Sequence, residues 1–68
     1  MDSNWIKIYS TTQQHLVEIA KGVLKENGIE SVILNKKDSA YTMIGEIELY
    51  ANPEQALEAM SILKSFDL

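Results

Sequence analysis

After Gly45 the chain reads Glu46, Ile47, Glu48, Leu49, Tyr50, with every second side chain aliphatic. Successive residues of a strand point to opposite sides of a sheet. Ile47 and Leu49 therefore share one face, and Glu46, Glu48 and Tyr50 share the other. A strand of this kind is buried on one side only. It belongs in the middle of a small sheet, with helices over the Ile47–Leu49 side and the reverse side left bare or covered by another molecule.

The chain's size sharpens that reading. Its 68 residues allow one domain, spanning 1–68. A domain this short buries only about 60% of the surface its unfolded chain exposes. Small domains compensate with disulfides, a metal or association. With no cysteine, disulfides and thiolate metal sites are excluded, which leaves association. The net charge of −4 opposes contact with nucleic acid or with anionic membrane surfaces. No apolar run approaches the ~20 residues of a membrane span. Met1, Asp2, Ser3 and Asn4 lack the basic start of a signal peptide. The expectation is a cytoplasmic protein with no nucleic-acid or membrane partner.

The rest of the chain supplies the other elements. Residues 5–9 alternate as a first strand, with Ile6 and Ile8 on one side and Trp5, Lys7 and Tyr9 on the other. Thr11 and Gln14 then have capping-box spacing. In the helix that follows, Leu16, Ile19, Ala20, Val23 and Leu24 fall on one stripe. Asn27 and Gly28 end it, with Ile29 folding back on Leu24. Ser31, Val32, Ile33 and Leu34 form a second strand. Residues 35–44 make a connection longer than a usual hairpin loop. Asn52 as cap, Pro53 at the first helical position, where its missing N–H costs nothing, and Glu54 at the positive dipole end start a second helix. Its stripe is Ala56, Ala59, Met60, Leu63 and Phe66, with Leu57 and Ile62 at the margins.

The order is β-α-β-β-α. A right-handed crossover makes the first two strands parallel, and the third fits between them, antiparallel to both. The fold class is α+β: a two-layer, ferredoxin-like unit with three strands in the order 1-3-2 and two helices on one face. The strand that would complete the ferredoxin-like unit is expected to be missing or vestigial, since only Phe66, Asp67 and Leu68 follow the second helix, and the outer edge of the first strand is then expected to be open. Open edges invite partner strands.

Several of these segments together resemble the DUF2007 family, small prokaryotic domains described as signal-transducing proteins. The resemblance rests on Trp5, Ile6, Lys7, Ile8 and Tyr9; on the helix end Glu26, Asn27, Gly28, Ile29; on Asn35, Lys36, Lys37, Asp38, Ser39; and on residues 45–50 leading to Pro53, Ala56 and Leu57. It covers nearly the whole chain and implies a ferredoxin-like fold similar to that of the PII signalling proteins. It implies a regulatory role and no defined chemistry. Some family members carry a zinc ribbon, which a chain without cysteine cannot form.

Two surfaces are candidate sites. The first is the sheet face turned from the helices, assigned Trp5, Lys7, Tyr9, Ile33, Glu46, Glu48 and Tyr50. Large aromatic groups on such a face mark a contact with a partner, here a second copy of the chain as a homodimer. The plain alternative is amphipathic cover, with Lys7 paired to Glu46 or Glu48 across the strands and both carboxylates ionised and solvated. The second surface is the 35–44 loop, where Lys36, Lys37, Asp38, Ser39 and Tyr41 could grip an anionic metabolite. The plain alternative there is a solvated turn.

Catalysis is poorly supported. His15 is the only histidine, and no spacing suggests converging metal ligands. Ser10 and Ser39 lack a base and its orienting partner. The sequence therefore points to a non-enzymatic binding or regulatory module, without cofactor or metal, that acts through protein association. A sensor of anionic metabolites built on the 35–44 loop is the alternative.

Overall fold

A computed structural model describes residues 4–35 and 46–68. Five elements follow in order: β1 (Ile6–Thr11), α1 (Gln14–Glu26), β2 (Ser31–Asn35), β3 (Ile47–Ala51) and α2 (Ala56–Ser65). The sheet runs β1-β3-β2, with β3 antiparallel to both neighbours. This is the β-α-β-β-α arrangement the periodicities imply. Lys36, Lys37, Asp38, Ser39 and Tyr41, the candidate anion loop, lie outside the described residues.

The core lies between sheet and helices. Ile47, Leu49 and Ala51 of β3 are fully buried and meet Val17, Ala20 and Leu24 of α1 and Ala59 and Leu63 of α2. Burying a leucine or isoleucine side chain contributes roughly 1.5–3 kcal/mol, so a few such residues carry much of a small domain's stability. The two helices divide the sheet between them. The nearest strand to α2 is β1, whereas α1 touches all three.

The apolar arcs of both helices sit differently from their sequence stripes. In α1 the buried row is Val17, Ala20 and Leu24, Leu16 and Val23 are half-buried, and Ile19 is exposed. At 100° per residue, Ile19 lies roughly 130° from the centre of the buried row. A three-stranded sheet with one neighbouring helix does not cover so wide an arc. In α2 the row is Ala56, Ala59 and Leu63, while Met60 and Phe66 are exposed. Small alanines let α2 approach the sheet closely, and its larger side chains are turned aside.

Helix ends are set by local hydrogen bonds. Thr11 does not close a capping box with Gln14; its Oγ1 accepts the Gln13 N–H at 3.1 Å. Gln14 instead bonds Glu18, Nε2 donating to Oε2 at 2.8 Å. At the other end of α1, Gly28 has φ +78°, its N–H bonds the Lys25 carbonyl at 3.0 Å, and the Ile29 N–H bonds the Leu24 carbonyl at 2.9 Å. That is a Schellman cap, with Ile29 and Leu24 buried against each other's surroundings as such caps favour. Asn52 caps the turn that leads into α2 and not α2 itself, which begins at Ala56: its Oδ1 accepts the Gln55 N–H at 3.1 Å, and Pro53 lies in that turn, not at the first helical position. One turn over residues 53–55 intervenes before α2 proper. After α2 the chain makes a second cap of the Schellman kind. The Asp67 N–H bonds the Lys64 carbonyl at 3.0 Å, the Leu68 N–H bonds the Leu63 carbonyl at 3.3 Å, and Leu68 packs on the core. Asp67, not glycine, occupies the left-handed position at φ 58°.

Candidate interaction surface

The strand register decides which side chains share the sheet face turned from the helices. Lys7 stands opposite Tyr50, and Ser10 opposite Glu48. On the far side of β3, Val32 pairs with Tyr50 and Leu34 with Glu48. The face is therefore built from Lys7, Ser10, Val32, Leu34, Glu48 and Tyr50.

Two of the assigned residues belong elsewhere. Tyr9 and Ile33 both pair with Leu49 and pack against the core, on the helix side of the sheet. The cause in β1 is a bulge. Between Lys7 and Tyr9 the strand advances two residues while β3 advances one, so Ile8 is the extra residue and the alternation changes sides there. In β2 the cause is composition. Val32, Ile33 and Leu34 are all apolar, so the run itself carries no parity. Two more assigned residues sit at the margin. Trp5 precedes β1, is half-buried, and lines a groove with Asn4, Asn52, Pro53 and Glu54. Glu46 is exposed and precedes β3.

The remaining three form a cluster. The Tyr50 hydroxyl donates to Glu48 Oε1 at 2.7 Å, and Lys7 Nζ lies 3.6 Å from Glu48 Oε2. Glu48 is only 4% exposed, so the expectation that its carboxylate is solvated is corrected. A buried carboxylate needs such partners, because desolvating an unpaired charge costs far more than a neutral group. The hydrogen bond to Glu48 is the largest cause raising the Tyr50 phenol above its ordinary range; desolvation and the carboxylate's charge add to it. Lys7 keeps a half-exposed side chain.

A second feature escaped the sequence reading. Gln55 Nε2 donates to the Gly28 carbonyl at 3.3 Å, so the Gln55 side of α2 faces the end of α1. Ile62 lies on that same side and packs on the core. By helical rotation Leu57 and Met60 occupy the opposite flank, away from α1 and above the outer edge of β1. They are 80% and 38% exposed, and Ile6 at that edge is 39% exposed. Because β1 is the strand on which α2 chiefly packs, these three exposed apolar residues belong to adjacent elements. The signal available in the sequence was the narrowness of a three-stranded sheet, which leaves a helix's outer flank uncovered.

Among the described residues, no group of three or more His, Cys, Asp or Glu side chains converges as a metal site would require. His15 is exposed on α1. No described helix is long and apolar enough to cross a membrane. Comparison with curated proteins and with solved structures gives no match. Residues 5–67 match the family model described as "Putative prokaryotic signal transducing protein", and the chain belongs to that family, DUF2007.

Proposed function

We propose that this domain is a non-catalytic regulatory module that works by protein–protein association, and that a second copy of the chain occupies a strip along β1 formed by Ile6, Leu57 and Met60. The observation that carries this is the exposure of Ile6 on the edge strand β1 and of Leu57 and Met60 on α2, the helix whose chief strand contact is β1. Among the described residues no strand pairs with that edge. An added strand would bond the outward main-chain groups of β1 and seat apolar side chains between Ile6 and Met60. A second β1 brings both the strand and a matching apolar strip. A two-fold contact of this kind covers both edges at once and closes on itself. The bulge at Ile8 limits the length of β1 that can pair, because bulges bend an edge away from partners. The apolar strip would then supply the rest of the contact. The family's signal-transducing description supports binding over catalysis.

Hydrogen exchange at two protein concentrations tests the location. Amides of β1 should exchange faster after dilution, while those of β3, interior in either state, should not change. Equal protection of β1 at both concentrations, with no dimer detected, would rule the proposal out.

A further inference from the structure

We infer that the groove between the last turns of α1 and the start of β2 binds a small oxyanion, a carboxylate or phosphate of about one net negative charge. The groove has a volume of about 380 Å³ and is lined by Lys21, Lys25, Gly28, Ile29, Glu30 and Ser31. That volume is within the ordinary range of small-molecule sites.

Three features select the ligand class. First, Lys21 and Lys25 stand one turn apart on α1, and among the described residues neither makes an ion pair. Like charges at that spacing repel each other, and an anion between them removes the repulsion. Second, Ser31 is only 7% exposed, and its Oγ is buried without a hydrogen-bond partner. Alanine would occupy the same place without the cost of an unbonded hydroxyl. A bound oxyanion gives that hydroxyl an acceptor. Ser31 lines the groove together with the two lysines, and an anion would reach its buried hydroxyl by displacing neighbouring side chains, of which the long lysine chains are the most flexible. Third, the two ammonium groups and the one carboxylate of Glu30 leave a single net positive charge, which suits a monoanion. The negative end of α1 opposes an anion only weakly, since the Leu24 and Lys25 carbonyls are already bonded by Ile29 and Gly28.

The full-length chain, labelled with nitrogen-15, would be titrated separately with sodium acetate and with sodium phosphate, against sodium chloride at matched ionic strength. Saturable amide shifts at residues 28–31 with an oxyanion and not with chloride are expected. Acetate alone would mark a carboxylate site, and phosphate alone a phosphate site. Ser31→Ala should weaken binding by about tenfold while raising the melting temperature. The double variant Lys21→Gln, Lys25→Gln, confined to exposed positions, should weaken it at least as much. Absence of saturable shifts, or binding by these variants as tight as by the parent chain, would overturn the inference.

Discussion

A glutamate that is 4% exposed on the side of a sheet without helices has to be held by its neighbours. Glu48 is held by the Tyr50 hydroxyl and by Lys7. Because Tyr50 has its pKa raised in the folded state, its contribution to stability is full below the ordinary tyrosine value of about 10 and is lost as pH rises through the higher folded value. Tyr50→Phe should therefore lower the melting temperature at neutral pH. The gap between variant and parent should close above about pH 10, as followed by circular dichroism. A gap that is constant with pH would show that the phenol proton is not involved. Asp67 makes a separate test. A non-glycine residue at φ 58° is strained, so Asp67→Gly should gain about 0.5–1 kcal/mol in denaturant unfolding.

At the scale of elements, Gly22 within α1 and Gly28 just past its end make opposite predictions. Gly22 is in the helix and an added methyl meets nothing within 4 Å, so Gly22→Ala should stabilise by roughly 0.5–1 kcal/mol. Gly28 has the same free space but a φ of +78°, so Gly28→Ala should destabilise by about 1 kcal/mol in the same urea titration. Steric space is equal at the two sites, so backbone conformation alone sets the sign. The caps and strand order were legible in the sequence because Asn27, Gly28, Asn52 and the alternation around Ile47 act through local geometry. The open face was legible only in part. Lys7, Glu48 and Tyr50 share one face, as alternation implies, but a bulge at Ile8 has no marker in an Ile-Lys-Ile-Tyr run, and it carries Tyr9 to the other side. Met60 and Leu57 follow the same logic. Periodicity identifies the apolar arc of α2, but the width of the sheet decides how much of that arc is covered.

For the whole molecule, the two layers leave a narrow sheet whose edge strand β1, with the helix α2 packed on it, carries exposed apolar residues, and the chain has no disulfide to support a small core. Association is one means by which such a domain adds buried surface. Substitution at the strip should act on assembly and spare the fold, since Leu57 and Met60 are both exposed. The double variant Leu57→Lys, Met60→Lys should keep its unfolding free energy within about 0.5 kcal/mol when measured at low concentration, where the parent is also monomeric. The most direct measurement is sedimentation velocity of both chains from micromolar to millimolar concentration. Self-association along β1 predicts a parent chain that shifts from monomer to dimer and a variant that stays monomeric throughout. A parent that remains a monomer at the highest concentration, or a variant that dimerises equally well, would contradict it.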